Sequence, residues 1–425
     1  MRVLLDLKPM RHRDFRYLWI GLFVTRLGTG ITFVTVPYQV FKLTRSSMIV
    51  GLLGVAQIVP LVFSALLGGA FADAVDRRKL VRYSEIGLLL CSAALAANAA
   101  LGKPKVWPIF LLVALSSVLD GFQRPALEAM FPRLVPHDEL AAVSALNSFR
   151  GSVSFLAGPL IGGFLIAGFG VRGAYLADVA TFVVSLILLI QVRAVPPPDD
   201  AERPSIESIK TGLRYARSRP ELIGTYVIDI VAMFFGMPLA LLPGFAERFG
   251  DARAFGVLNA APFVGAMLVN LTSRWTTKVH RHGRAIVFAA SVWGLGIVGL
   301  GFSNQLWIAF VCFAIAGGAD MISGLFRMTM WNQTIPDAVR GRLAGIEMIS
   351  YSSGPLLGNV ESGVAAAWFG IRGAIISGGV LCTGGSALVA AALPEFWAYD
   401  SRTHPAALVK LVANNNTDSA TLIER

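Results

Sequence analysis

Acidic and basic side chains stand where this chain can least tolerate them. Arg26, Asp120, Arg124, Glu128, Arg150, Asp178, Asp229, Asp320, Arg327, Glu347 and Glu361 all fall inside long hydrophobic runs. A charge at the centre of a bilayer costs about 2.5–3.5 kcal/mol on insertion scales, so each should face a partner or a cavity. The chemistry open to them is proton exchange and recognition of a charged solute. Asp120, Arg124 and Glu128 recur every four residues and share one helix face, where mutual pairing is the simplest role and proton binding by Asp120 the sharper one. Arg150 could answer one of those acids. Arg26 is open to two readings, a structural salt bridge or contact with an anionic group of a solute. Asp178 and Asp229 lack a basic residue within one turn. Burial favours the neutral form of an acid and a cation favours its charged form, so these two are the better proton carriers. Asp229 is preferred, with a hydrogen-bonded structural aspartate as the competing reading. Asp320 and Arg327 lie two turns apart in one span, Glu347 and Glu361 in the next, and any of these could line a path.

Other chemistries find no support. His12, His137, His280, His282 and His404 fall in loops or tails, which argues against a histidine proton relay. Cys91, Cys312 and Cys382 are scattered in apolar segments without ligand spacing and read as packing residues. No G-x-x-x-x-G-K-[ST] loop or nucleophile motif is visible, so neither nucleotide hydrolysis, enzymatic turnover, a cofactor nor a metal is expected.

The elements that must position these residues are membrane helices. Of 425 residues, 55% are hydrophobic and only 15% charged, well below the usual quarter of soluble domains. Apolar runs near twenty residues recur, long enough to cross ~30 Å of hydrocarbon, and backbone groups in lipid need internal partners, so a helical bundle follows. The runs place twelve spans near 15–41, 47–71, 80–101, 106–131, 140–167, 171–193, 221–246, 254–277, 284–302, 305–332, 342–368 and 371–394. The fold expected is an all-α polytopic membrane protein, its twelve transmembrane helices forming two pseudo-symmetric six-helix halves, 15–193 and 221–394. Basic residues gather in the N-terminal segment 1–14 and in alternate loops, at Arg77, Arg78, Lys79 and Arg82, and again at Arg274, Lys278, Arg281 and Arg284. Both termini and these loops are therefore expected on the cytoplasmic side. The net charge of +11 resides largely in them and does not call for nucleic acid. Between the halves, 194–220 begins with Pro196, Pro197 and Pro198 and continues as a basic amphipathic helix over SIESIKTGLRYARSR, either at the membrane surface or solvated. The tail 395–425 turns polar and reads as disordered.

Two motifs punctuate the spans. GPLIGGFLIAGFGVRGA begins at Gly158, and a related phrase, GPLLGNVESGVAAAWFGIRGA, begins at Gly354, which marks a duplication of the kind found in secondary transporters. In the first copy Gly158, Pro159, Gly162 and Gly163 remove bulk and one helix hydrogen bond, so the span can bend and pack closely. Between the second and third spans stands GGAFADAVDRRKLVR, with Gly69, Asp73, Arg77 and Arg78 in the order G-x-x-x-D-x-x-x-R-R. Gly69 allows close helix approach, Asp73 can cap or pair, and Arg77 with Arg78 holds the loop face. This loop resembles the signature of the major facilitator superfamily, except that Asp76 stands where the family has glycine, and GPLIGG resembles the antiporter signature of its exporters. The stretches RDFRYLWIGLFVTRLGTGI, PRLVPHDELAAVSALNSFRGSVSFLAGPLIGG, LRYARSRPEL and QTIPDAVRGRLAG are together similar to the enterobactin-exporter-like branch. The first span lacks an acid often seen there, and Gln123-Arg124-Pro125 only loosely follows the superfamily's arginine motif. The resemblance implies a secondary exporter of an amphiphilic small molecule, siderophore-like, driven by proton antiport from the cytoplasmic membrane, and working as a monomer among membrane lipids. Multidrug efflux is the alternative, and a non-transporting receptor or scaffold, or a membrane-embedded enzyme, is the remote one. Phe122, Trp293 and Phe326 are aromatic candidates for a cavity wall.

Overall fold

The computed structural model describes residues 6–74, 76–194, 219–335 and 337–404, with side chains described except at 62–63, 65–74 and 337–352. The linker helix lies outside the described residues, as do the part of the 395–425 tail beyond His404 and the side chains of Asp73 and Glu347. The part of the tail that is described is ordered, with a short helix Pro394–Ala398 and with Phe396 and Tyr399 buried. Long helices dominate: α1 Arg13–Thr44, α2 Ser47–Ala74, α3 Arg77–Ala99, α4 Val106–Leu134, α5 Leu140–Ile190, α6 Pro220–Phe235, α7 Ala252–Thr272, α8 His282–Phe302, α9 Leu306–Thr334 and α10 Asp337–Ala392. There is no strand among the described residues. Among the described residues eight helical stretches are long and apolar enough to cross a membrane, and Ser47–Leu61 adds a shorter apolar one.

Local chemistry sets the ends. Arg45, in the left-handed conformation at φ 54°, stops α1, its N–H bonded to the Phe41 carbonyl. The α3–α4 turn is closed by Asn98, whose amide donates to the Lys105 carbonyl at 3.0 Å and whose oxygen accepts the Lys105 N–H at 3.1 Å. The single span expected over 221–246 is interrupted. Helix α6 ends at Phe235, and Leu242–Ala246 is a separate short helix. Gly236 caps α6, and prolines at 238 and 243 cannot donate the N–H groups that a continuous helix needs.

Contacts divide the chain into two compact units. The first comprises Met1–Pro204, Leu239–Ala260 and Gly363–Ile371, the second Ser205–Pro238, Ala261–Ser362 and Arg372–Arg425. Two apolar cores of the first unit lie among the described residues. One joins Phe15, Leu18, Trp19 and Leu22 of α1 to Val81, Met130, Phe131 and Leu146. The other joins Val36, Val40 and Phe41 to Val50, Leu53, Leu95, Ile109 and Tyr175. On α1 the stretch between these cores holds Thr25, Arg26, Thr29, Thr32 and Thr35, and on α3 it holds Glu85 and Ser92. A polar layer is thus enclosed between apolar ends. In the second unit Trp293 packs on Phe313, and His282 lies between Phe326 and Tyr399.

The repeated Phe-Gly-(Val/Ile)-Arg-Gly-Ala phrase has one physical meaning in both copies. Gly170 breaks α5 at φ 70°, ψ 176°, and Gly370 breaks α10 at φ 69°, ψ 168°. This region of backbone space is essentially restricted to glycine. A Cβ at Gly170 would meet nothing within 4 Å, so only the torsion forbids a side chain. Gly170→Ala should therefore cost roughly 1–3 kcal/mol in detergent unfolding, while Gly168→Ala, equally uncrowded but at negative φ, should be neutral or slightly stabilising. Equal melting temperatures for the two variants would show that the glycine break is not required.

Candidate functional site

The polar layer of the first unit is organised by two acids. Asp178, on the second arm of α5, is 1% exposed. Its Oδ2 accepts from the Thr32 hydroxyl of α1 at 2.6 Å and the Ser92 hydroxyl of α3 at 2.7 Å. Thr181 Oγ1 lies 3.4 Å from Oδ1. No ion pair reaches Asp178 among the described residues, in keeping with its isolation in the sequence. One turn back, the Tyr175 hydroxyl donates to Gln39 Oε1 at 2.8 Å.

The second acid is Glu85, which sequence reasoning passed over. It is fully buried on α3, and Gln123 of α4 approaches Oε1 at 3.5 Å. Ser185 and Arg26 lie beside it. Glu85 to Ser92 and Asp178 to Ser185 are both seven-residue steps, about 10.5 Å along a helix. The two acids therefore sit in parallel layers two turns apart on shared helices. The available signal was Glu85 inside an apolar span with Ser92 on its own face.

Arg150 does not answer Asp120 or Glu128. Its guanidinium lies over the Phe131 ring at 5.6 Å, Nη1 is buried without a protein partner, and Arg26 is within electrostatic reach. Thr25 Oγ1, Ser154 Oγ and Glu85 Oε2 are likewise buried and unpartnered. The salt bridge entertained for Arg26 is not found among the described residues. On α4, Arg124 and Glu128 approach to 3.7 Å on an exposed face, and Asp120 is half-buried.

In the α2–α3 loop, the departure from the superfamily pattern has a structural use. Asp76 caps α3, accepting the N–H of Arg78 at 2.9 Å and of Lys79 at 3.3 Å. Arg77 and Arg78 then reach the carbonyls of Ala129 on α4 and Ile190 at the end of α5, the latter at 2.6 Å.

GPLIGG packs on two sides. A Cβ at Gly158 would lie 2.8 Å from Gly30 Cα of α1, and one at Gly163 would lie 2.7 Å from the Ala252 carbonyl and 2.8 Å from Gly256 Cα of α7. Helical torsions run through Pro159, so the break in this helix falls at Gly170. The same unit carries an ion cluster at its end. Glu247 accepts from Lys42 at 2.6 Å and from Arg45 at 2.7 and 2.9 Å. Tyr38 stacks on Phe255 at 5.9 Å, and Arg253 lies over Phe164. Burial works against the charge of Glu247, but Lys42 and then Arg45 prevail and hold its carboxyl below the ordinary 4.5.

In the second unit Asp229 of α6 is not isolated, contrary to the reading of its sequence neighbourhood. It forms an ion pair with Arg327 of α9, both side chains being largely buried, and Asp320 approaches the other arm of that guanidinium at 3.9 Å. One turn along, Trp331 donates to the Thr225 hydroxyl at 2.8 Å. The partner of Asp229 is ninety-eight positions away, beyond any helical spacing. Among the described residues no cluster of histidine, cysteine and acid could hold a metal. Of the aromatic candidates, Phe326 lines a lateral apolar cavity, and Trp293 is buried away from it.

Comparison with known proteins gives this arrangement its family. The model of a family described as transmembrane secretion effector matches residues 5–422. The enterobactin exporter EntS of Shigella boydii serotype 4 is 28% identical over 361 residues, covering 84% of this chain and 86% of that protein, and EntS of Escherichia coli O139:H28 gives the same figures. Among solved structures, the nucleoside transporter NupG matches with a TM-score of 0.73 at 13% identity, covering 91% of this chain and 99% of that one. A bacterial homologue of the lysosomal transporter Spinster matches at 0.67 and 15%, covering 91% and 96%. With apolar helices long enough to span a membrane and a family match over nearly its whole length, the chain is a multi-pass membrane transport protein, not an enzyme, and belongs to the transmembrane secretion effector family of the major facilitator superfamily.

Proposed function

We propose that the protein exports an amphiphilic, siderophore-like small molecule across the cytoplasmic membrane, by alternating access coupled to proton entry. The observation that carries this reading is the polar layer: Arg26 and Arg150, half-buried and in no salt bridge among the described residues, with Glu85 beside Arg26, two turns from a buried Asp178 held by hydroxyls. Half-buried cations that form no salt bridge among the described residues invite an electronegative group of the solute. The relatives named enterobactin exporter support a solute of that class. Twelve spans in two six-helix halves are proposed, with Gly170 and Gly370 each turning one long helix into two spans, and with both termini cytoplasmic according to the basic loops. A monomer suffices for this scheme.

Asp178 replaces Asp229 as the proposed proton carrier. Asp229 cannot take a proton without giving up its pairing with Arg327. Asp178 can, because its partners are the hydroxyls of Thr32, Ser92 and Thr181, which can turn from donor to acceptor when the carboxyl is protonated. Its layer shares α1, α3 and α5 with the layer of Glu85 and Arg26, so a change at one acid is transmitted along rigid helices to the other. The membrane potential supplies about 2.3 kcal/mol per charge per 100 mV to such a step. Arg77, Arg78 and Asp73 hold the loop face, and GPLIGG provides a close-packed surface on which neighbouring helices rock. The Lys42–Arg45–Glu247 cluster latches the opposite end.

Transport in reconstituted vesicles tests the scheme. Asp178→Asn should lower proton-driven uphill efflux by about tenfold or more while leaving solute counterflow close to wild type. Undiminished uphill efflux in that variant, or in vesicles whose proton gradient has been dissipated, would remove the proton from the mechanism. Asp229→Asn should instead strand Arg327 and cost roughly 3–5 kcal/mol of stability. Asp229→Asn with Arg327→Gln should restore most of the melting temperature, and failure of that rescue would show the pair to be structurally unimportant. For the latch the sign is set by a depressed carboxyl. Its contribution is present above about 4.5 and lost as pH falls through the lower folded value. The difference in melting temperature between wild type and Glu247→Gln should thus be constant from about pH 8 to 5.5 and shrink only in stronger acid. A difference that vanishes by pH 6 would contradict this.

A further inference from the structure

The second unit contains a cavity of about 710 Å³ that the transport scheme does not use. It lies between α7, α8 and α9 and opens sideways past Leu268, Phe288 and Val311, which are 59%, 62% and 53% exposed. Apart from the indole of Trp275, every lining side chain is aliphatic or phenyl, and the remaining positions are glycine. Close crossing of α7 and α9 at Gly265 and Gly318 forms one edge, where a Cβ on Gly318 would lie 3.3 Å from the Gly265 carbonyl. Along α9 the lining runs from Phe310 to Phe326, about 24 Å at 1.5 Å per residue. That exceeds the ~15 Å depth of one leaflet of a ~30 Å hydrocarbon core.

The end of the groove is charged, and with one sign. Trp275 and Val279 line it from the segment SRWTTKVHRHGRA, which carries Arg274, Lys278, Arg281 and Arg284 and no acid. Arg274, Lys278 and Arg281 are exposed, and Arg284 lies over the Trp397 ring at 5.4 Å. Asp400, brought to this loop by the bond from Ser401 N–H to the His280 carbonyl, is engaged by the Arg402 N–H at 3.0 Å and does not neutralise the cluster. A groove of hydrocarbon that ends in a cluster of exposed cations matches an amphiphile with long chains and an anionic head. A lipid of the leaflet on the basic-loop side presents those two parts in that order.

We infer that the groove between α7, α8 and α9 binds an anionic phospholipid, with an acyl chain along the apolar walls and the phosphate at Arg274, Lys278 and Arg281. The test is native mass spectrometry of the delipidated full chain, titrated with phosphatidylglycerol or phosphatidylcholine of identical chains. Wild type should hold one phosphatidylglycerol with at least about fivefold preference. Arg274→Gln/Lys278→Gln/Arg281→Gln should bind both lipids alike. Val292→Trp/Val311→Trp, which fills the groove from partly exposed wall positions, should lose the bound lipid of either kind. Equal retention of the two lipids by wild type, or an undiminished phosphatidylglycerol adduct in the filled variant, overturns the assignment. Should the filled variant fail to fold, the surface charge variant decides, because preference retained there also overturns it. Displacement of the lipid by the transported solute at stoichiometric concentration would assign the groove to the solute instead.

Discussion

A carboxyl group at mid-membrane must be given donors, and Asp178 takes them from three helices. Thr32 on α1, Ser92 on α3 and Thr181 on its own helix surround it. Because an unsatisfied buried polar group is expensive in hydrocarbon, this requirement fixes how α1, α3 and α5 are rotated and registered. The consequences run outward along each helix. Seven residues from Asp178 the same rotation brings Ser185 to Glu85, and beyond the polar layer on either side the inward positions become the apolar cores around Leu22 and Val36.

The repeated phrase keeps its ending and varies its length between the two copies. From Gly158 to Gly170 is twelve residues, and from Gly354 to Gly370 sixteen, so the second copy carries about one additional helical turn, with Glu361 inside it. Despite the insertion, both copies end on a glycine with nearly the same torsions. A whole turn preserves the face that each later residue presents, and the glycine preserves the direction in which the chain continues. Length can thus vary in units of a turn, whereas the break cannot change residue type.

What was legible in the sequence follows from range. Apolar runs gave most helix positions to within a few residues, and the breaks at Gly170 and Gly370 fall in the gaps between those runs, because these depend on neighbours a few positions away, whereas the Gly-Pro pair at 158–159 stays helical. The single run over 221–246 misled, since its hydropathy is continuous but its prolines at 238 and 243 interrupt hydrogen bonding. Asp229 looked isolated because a helical window cannot see Arg327, and Arg150 looked like a partner for α4 acids because charge alone does not specify which way a long side chain turns. Glu85 was hidden by its own surroundings. It belongs to a basic-loop helix whose first turn draws attention to Arg77 and Arg78, and only the packing of α4 and α5 shows that it is fully buried.

The placement of charge separates two physical roles. Glu247 is bound by two cations in a partly exposed cluster, where solvent and salt weaken each bond and a depressed carboxyl keeps its charge through the physiological range. Such a cluster can open and close without exchanging a proton. Asp178 has the opposite environment, with hydroxyl donors, no ion pair among the described residues and almost no exposure. A proton can be added there without breaking an ion pair, but only when the surrounding helices admit water. A gate that must cycle at constant pH therefore needs the first kind of acid, and a coupling site that must sense the driving ion needs the second. Exchanging them would fail on both counts, since opening a buried hydroxyl cage leaves its polar groups unsatisfied and a carboxylate paired with two cations stays ionised and carries no proton.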